Sequence, residues 1–431
     1  MQNVPEKNSL NAKKKCTNRT SIFKIEKTLY LEYYLLMTII AEIGTAHTGS
    51  ISKAKELINA AKEAGADCVK FQWVYADEIL HPKTGFVNLP GGKIPLFDRF
   101  RELEVNKDFF VECLEYTHGK GLLFACSPFG IKSLHELAEI NPDAIKIASP
   151  EVNHIPLLKE CAQYYGRIPI ILSSGVSSLG DIERAVSILK SNSSDSDGDS
   201  FKKNKNGLAP LTLLHCETCY PAPESEYNVK CVKTLAEIFG LPTGISDHSM
   251  DPVLVPSLAA VFGATVIEKH ITLSRNTSGL DDPVALEPEQ FALMAHCARQ
   301  AEAVLERFRK ERSAQLNCIY RGIPEEAVMQ AVSQLSQQFD KDLVIKCIGS
   351  GIKKLALSEK QNYGRTNRSL HYMHSMKKGR KILEGDIAVL RTEKILSPGI
   401  PPEFLSVLEG AVLSKDTEGG AGVQFEDFLL K

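Results

Sequence analysis

The chain lacks any long apolar run. Its stretch from Leu29 to Leu36 is broken by Glu32 and is too short to cross a bilayer, so no membrane anchor is expected. Nor does one sign of charge prevail. With 51 basic and 53 acidic residues, a formal charge of −2 and no long basic stripe, the sequence argues against a nucleic-acid partner. A disulfide framework is missing too: the eleven cysteines are odd in number and scattered, several inside stretches that read as core, and no secretory signal precedes them. A reducing, cytoplasmic setting is expected. Cys216 and Cys219 form one C-x-x-C pair, but no second pair stands at a zinc spacing and the pair spans a strand end. Core or lining roles suit both better than redox or zinc chemistry.

What the chain does have is eight short, β-branched apolar runs at nearly even intervals: Thr38–Ala41, Cys68–Phe71, Leu122–Ala125, Ala144–Ala148, Pro169–Leu172, Leu211–Leu214, Thr243–Ile245 and Thr265–Ile267. Between them lie segments of helical period, such as Ala54, Leu57, Ile58, Ala61 and Ala64, with Gly65 and Gly121 placed to end helices. Strands that are apolar throughout are buried on both faces. Eight of them alternating with helices predict an α/β fold, a parallel (β/α)8 TIM barrel. Just past the run ends stand Glu42, Gln72, Ser127, Ser149, Glu151, Ser173, Thr218, Ser246, His248 and His270, so one barrel mouth would collect them.

The barrel is expected over 37–300. Residues 1–36, with Lys13, Lys14 and Lys15 in a polar run, read as a flexible extension, and Met37 as an alternative start. Residues 191–207, rich in Ser, Asp, Asn and Lys, predict a mobile loop. Residues 301–364 read as a helical insertion and linker with a helix starting at Pro324. From 365 to 431, short stretches such as Ser369–His374, Ile382–Asp386 and Ala388–Arg391 between turn residues predict a small, mostly β module that closes a mouth or dimerises.

Several motifs fall in one order: Ile40-Ala41-Glu42-Ile43-Gly44 with His47 and Gly49; Val69-Lys70-Phe71-Gln72; Lys146-Ile147-Ala148-Ser149-Pro150-Glu151; His215-Cys216 with Tyr220-Pro221; Gly244-Ile245-Ser246-Asp247-His248; Glu268-Lys269-His270; and Gly279-Leu280-Asp281 with Leu286-Glu287-Pro288. Together they resemble the N-acetylneuraminate (sialic acid) synthase family from Met37 onward, and the last module resembles that family's antifreeze-like SAF domain. The resemblance implies condensation of phosphoenolpyruvate with an open-chain N-acetyl amino sugar, N-acetylmannosamine or a modified hexosamine, with C–O cleavage and phosphate release.

The residue types agree. A small polyanion needs several cations and hydroxyls on rigid elements, which Lys70, Lys146, Ser127, Ser149, Ser173 and Ser246 offer. An aldehyde electrophile needs a Lewis acid. His248 and His270 end neighbouring strands and match the family's metal ligands; two imidazoles leave an open site suited to Mn²⁺, with Mg²⁺ or Co²⁺ as alternatives. By the same resemblance Glu42 faces the sugar, Glu151 moves a proton or orients water near the enol, Asp281, Gln72, Thr218 and Tyr220 line the substrate site, and Arg391 reaches from one subunit into the mouth of the other in a domain-swapped homodimer. Lys269 reads as a structural ion-pair partner.

Ala46, Trp73, Pro150, Thr218 and Asp282 depart from the family pattern, most of them at positions expected to face the sugar. They point to an acceptor other than N-acetylmannosamine, on the way to a legionaminic- or pseudaminic-like product. Two other readings stay open. Lys70 or Lys146 would serve a Schiff-base aldolase if desolvation lowered its pKa, and Ala46 with Thr218 would suit a non-catalytic sugar-binding relative.

Overall fold

Each β-branched run forms a strand in the computed structural model, which describes residues 37–89, 92–192, 204, 206–277 and 279–428. Strands β1 (Thr38–Gly44) and β2 (Cys68–Trp73) precede a short antiparallel hairpin of β3 (Phe86–Leu89) and β4 (Gly92–Pro95). Then come β5 (Leu123–Pro128), β6 (Ala144–Ile147), β7 (Ile170–Ser173), β8 (Leu211–Cys216), β9 (Thr243–Asp247) and β10 (Val266–His270). The hairpin apart, these strands close into a parallel barrel in the order β1-β10-β9-β8-β7-β6-β5-β2, as expected. The helices between them are capped as their sequences dictate. Ser50 accepts from the Lys53 amide at the start of Ile51–Glu63, whose Ala54, Leu57, Ile58 and Ala61 are buried, and Ser178 with Asp181 forms a capping box for Leu179–Leu189.

Alternation along the strands divides the side chains into two sets. One set packs outward under the helices, where Ile39, Val69, Phe124, Ile145, Leu213 and Ile267 join one large core. The other points inward. Its lowest layer is apolar, built from Ile40, Cys68, Ala125, Ala144, Ile171, Leu214 and Val266. Two residues farther along the same strands stand Glu42, Lys70, Ser127, Lys146, Ser173, Cys216 and Glu268. The barrel therefore has a dry floor and a charged layer above it.

The segment after β2 was not foreseen. Short helices Ala76–Ile79 and Leu96–Arg101 flank the hairpin and share a small core with Leu80, Leu103 and Phe129. The expected boundary at 300/301 is also displaced, because one helix, Pro288–Leu316, runs unbroken through it. The inserted helices proper are Glu325–Leu335, with Pro324 at its N-cap, and Lys341–Ile348.

The C-terminal module pairs β11 (Arg368–Tyr372) with β12 (Ile387–Arg391) antiparallel around Leu370, Tyr372, Met376, Leu413 and Val423. Ile382–Asp386, expected to be a strand, is instead bent back on itself, the Asp386 carboxylate accepting from the Leu383 amide. Among the described residues no helix is long and apolar enough to cross a membrane. The expectations for 1–36 and for most of the 191–207 loop lie outside the described residues.

Candidate active site

Four charges interlock above the apolar floor. Lys70 Nζ lies 2.9 Å from Glu42 Oε2 and 3.6 Å from Glu268 Oε1, and Lys146 Nζ is 3.5 Å from the same Glu268 oxygen. Ser246 donates to Glu268 at 2.9 Å, Gln72 donates to Glu42 at 2.7 Å, and Lys70 donates to Ser127 at 3.4 Å. All four charged groups are buried, which is tolerable because two ammoniums meet two carboxylates. The lysines are not equivalent. Burial disfavours the Lys70 ammonium, but Glu268 and Glu42 outweigh that and raise its pKa; burial dominates at Lys146 and lowers it, Lys70 adding to the effect. Beside them the Ser173 hydroxyl is buried and has no hydrogen-bond partner among the described residues.

At the rim, His248 follows β9 and His270 ends β10, with ring centroids 5.7 Å apart. The ring of Tyr220 lies 4.2 Å from that of His248 and 6.2 Å from that of His270. His248 Nδ1 is 2.8 Å from the Glu217 carbonyl, an acceptor, so Nδ1 carries the proton in the neutral ring and Nε2 is left free. No hydrogen bond among the described residues engages the His270 ring, although its backbone carbonyl accepts from the Leu286 amide at 3.0 Å. Two imidazoles on one rim, one oriented by a backbone carbonyl, fit an open divalent-metal site. The described residues offer no cluster of three His, Cys, Asp or Glu to complete it, so any further ligands would have to be substrate or water oxygens.

The loops after β7 and β8 touch each other. A Cβ on Gly175 would strike the Thr218 hydroxyl and crowd Ser149 and Cys216, so only glycine permits that approach, and the Gly175 amide donates to Ser149 Oγ at 3.0 Å. Cys216 Sγ lies 3.7 Å from His248 Nδ1 and 3.9 Å from Thr218 Oγ1, while Cys219 is half-buried; both are free thiols that line or pack. Beyond β10, Asp282 turns inward to accept from Thr277, leaving Asp281 half-exposed near Tyr220 and His270.

Glu151 sits between two arginines of the C-terminal module. Its Oε2 pairs with Arg368 Nε and its Oε1 lies 2.7 Å from an Arg391 nitrogen. Arg368 is wholly buried and also donates to the carbonyls of Glu78, Phe129 and Val389. Burial pushes the Glu151 carboxyl up, but the two guanidiniums outweigh it and hold the group below the usual range. A carboxylate held ionised in that way is poorly placed to deliver a proton.

Comparison with known proteins turns this geometry into a family. The NeuB family matches residues 57–310. The chain belongs to the NeuB family. It is 29% identical over 392 residues to the N,N'-diacetyllegionaminic acid synthase of Legionella pneumophila, covering 90% of this chain and 94% of that protein. To the pseudaminic acid synthase of Campylobacter jejuni it is 29% identical over 396 residues, covering 90% and 96%. The crystal structure of the spore coat polysaccharide biosynthesis protein SpsE of Bacillus subtilis superposes with a TM-score of 0.70 at 29% identity, covering 92% of this chain and 96% of that one. The N-acetylneuraminate synthase resemblance of the motifs is thus the right one, and this NeuB-family chain is an enzyme of that synthase type.

Within the NeuB frame, Glu42, Lys70, Gln72, Ser127, Lys146 and Ser246 converge in the charged layer beside Ser173. Ser149, Thr218, Tyr220, His248, His270 and Asp281 stand at the strand ends and rim around it. Lys269 points away from the mouth to Asp247 (2.6 Å) and the Ser249 carbonyl, the structural pairing expected of it.

Within one chain Arg391 meets Glu151 of the same barrel, where its cross-strand neighbour Arg368 is buried. Two expectations change. Trp73 is buried against Phe110, ring centroids 4.1 Å apart, because strand alternation turns it outward when Gln72 faces in. Ala46 packs in the same outer core, whereas Thr218 lies at the site beside Ser149 and Cys216.

Glu268 and Arg368 were missed. Alternation could have found Glu268, since β10 places it on the same side as His270. No local pattern marked Arg368, whose partners are 217 and more residues away in sequence within the barrel.

Proposed function

We propose that the protein condenses phosphoenolpyruvate with the open-chain form of an N-acetyl amino sugar, releasing phosphate and a nonulosonic acid. The observation that carries this reading is the buried Glu42–Lys70–Glu268–Lys146 cluster with the Ser173 hydroxyl, unpartnered among the described residues, beside it. A polyanion small enough to enter the barrel would find two ammoniums and a free donor held rigidly there.

The enol C3 attacks the aldehyde carbon to make the new C–C bond. Water then adds at C2, and the bond between C2 and the phosphate oxygen breaks. The oxygen of water remains as the keto oxygen, one of its protons going to the former aldehyde oxygen and the other to the departing phosphate. Lys70 and Lys146 neutralise the carboxylate and phosphate, and Ser127, Ser173 and Ser246 orient them. Glu42, fixed by Gln72, accepts a hydrogen bond from the sugar or from the attacking water. Glu151 acts as a positioning carboxylate that aims Arg391 at the mouth. A divalent ion, Mn²⁺ with Mg²⁺ or Co²⁺ as alternatives, would be held by His248 and His270 and would supply Lewis acidity toward the aldehyde.

Legionaminic and pseudaminic acid synthases among the relatives, together with Thr218 at the site, favour a modified hexosamine as acceptor. The test is phosphate release with Mn²⁺ across N-acetylmannosamine, its 6-phosphate and the 2,4-diacetamido-2,4,6-trideoxyhexoses. The expected result is turnover of a diacetamido sugar, lost on chelation and in His270→Ala with the far-ultraviolet spectrum unchanged. The lowered pKa of Lys146 sustains one rival, a Schiff-base aldolase. A pyruvyl adduct trapped on Lys146 by borohydride, without phosphate release, would replace the proposal with that reading.

A further inference from the structure

Between helix Lys341–Ile348 and β11, residues 349–367 run across the strand-end loops of their own barrel. The strap is sewn down along its length. The Gly351 amide donates to Asn228 Oδ1 at 2.8 Å, and the Ser358 amide to Glu226 Oε2 at 3.0 Å. The centre of the strap is Glu359, a buried carboxylate. Its Oε1 accepts from the Val176 amide at 2.9 Å and the Thr218 amide at 2.7 Å, and its Oε2 from the Ala356 amide at 3.2 Å. Asn362 donates to the Thr218 carbonyl at 2.9 Å, and Asn367 donates to the Val176 carbonyl at 3.0 Å.

All four backbone polar groups of Val176 and Thr218 are thereby engaged by three strap side chains. Both residues sit in loops rather than in strand ladders. Val176 has φ of +42°, a left-handed conformation that a β-branched residue keeps only when its surroundings impose it. Thr218 is the residue whose hydroxyl packs on Gly175, and Tyr220, beside the two histidines, follows two positions later.

We infer that Glu359, with Asn362 and Asn367, is a set of positioning residues that clamps the loops after β7 and β8 and so fixes the acceptor-sugar end of the site. The strap is part of the active-site architecture as well as a tether for the C-terminal module. This inference rests on the synthase reading for its kinetic consequence, but the clamp itself is independent of that reading. A loop freed to shift by about an ångström loses the orientation on which bound-state geometry depends.

The experiment compares the full-length protein with Glu359→Ala, Glu359→Gln and Asn362→Ala by two readouts. In amide hydrogen exchange, Glu359→Ala is expected to speed exchange at Val176 and Thr218 at least tenfold while the β1 and β10 amides stay unchanged. In steady-state kinetics with the diacetamido sugar that turns over, its KM should rise about tenfold or more with the KM for phosphoenolpyruvate within twofold. Glu359→Gln, which keeps an accepting carbonyl, should recover most of that loss. Unchanged exchange at the two amides would overturn the clamp, and faster exchange with unaltered sugar KM would reduce it to a structural tie and overturn its role in the site. If Glu359→Ala does not fold, Asn362→Ala, which removes one contact to Thr218, decides by the same two readouts. If no sugar turns over in the wild type, the synthase reading fails and the exchange measurement alone decides the clamp.

Discussion

The floor of the barrel and the layer above it are made by the same strands, two residues apart. Ile40 and Glu42, Cys68 and Lys70, Ala144 and Lys146, and Val266 and Glu268 share a strand and a direction, yet the first of each pair belongs to a dry apolar cluster and the second to an ionic one. Register aligns the ionic layer from strand to strand: Glu42 faces Lys70 across β1 and β2, and Ser246 faces Glu268 across β9 and β10. One layer holds the barrel closed by burial, while the other holds charge where water is scarce and Coulomb interactions are strong. Stability and chemistry are separated by one step of the pleat.

That separation can be broken most forcefully at Glu268. Glu268→Ala removes the carboxylate shared by two buried ammoniums, and breaking such a pair from one side costs about 3–5 kcal/mol. Phosphate release should fall by at least about a thousandfold, since Lys70 and Lys146 lose their common anchor. Leu214→Ala in the floor should cost a comparable 2–5 kcal/mol by opening a cavity. Its KM values should nevertheless remain within about threefold of wild type at temperatures where it is folded. Urea unfolding and steady-state kinetics on both variants check the contrast; a floor variant as inactive as the ionic one would show that the layers are not independent.

The next comparison is between the barrel and the C-terminal module. Asn367 is bonded to the Val176 carbonyl, Arg368 follows it directly into the barrel, and Arg391 is the cross-strand partner of Arg368. Within one chain these contacts bring Arg391 to its own mouth. Mixing His270→Ala with Arg391→Ala protein, unfolded and refolded together, should give no more phosphate release than the two variants assayed apart. Recovery of a quarter or more of wild-type activity would mean that modules exchange between chains.

How much of this was legible in the sequence follows from the range of the interactions. The strands and their inward residues were readable because β-branched runs and alternation are local signals, and the motifs marked Glu42, Lys70, Lys146, His248 and His270 directly. Trp73 departs from the expected sugar-facing position because Gln72 faces in, and alternation along β2 sends the next residue outward. The hairpin of β3 and β4 escaped because it is short and half-exposed, with no apolar run to announce it. Glu359 and Arg368 were invisible for a different reason: each acts on barrel loops 141 and more residues away, and nothing in their own surroundings records that.

The finest test of the barrel–module comparison is a titration. Burial alone would raise the Glu151 carboxyl, but Arg368 and Arg391 lower it below the unfolded-chain value of about 4.3. A folded-state pKa depressed in this way stabilises the native protein at every pH above the unfolded value, and the stabilisation is lost as the pH falls through the folded one. Arg391→Met removes one of the two guanidiniums and leaves Arg368 paired. It should cost about 1.5–3 kcal/mol at pH 7, the usual worth of a hydrogen bond to a charged group. The cost should be the same at pH 6 and should shrink only as the pH falls through the depressed folded-state pKa, where the wild type protonates Glu151 and forfeits the same contact. Unfolding free energies of the two proteins between pH 7 and pH 3 give the difference directly. A difference that stays constant into acid would mean that Arg391 stabilises the module through Phe129, over whose ring it lies at 5.2 Å, and not through its pairing with Glu151.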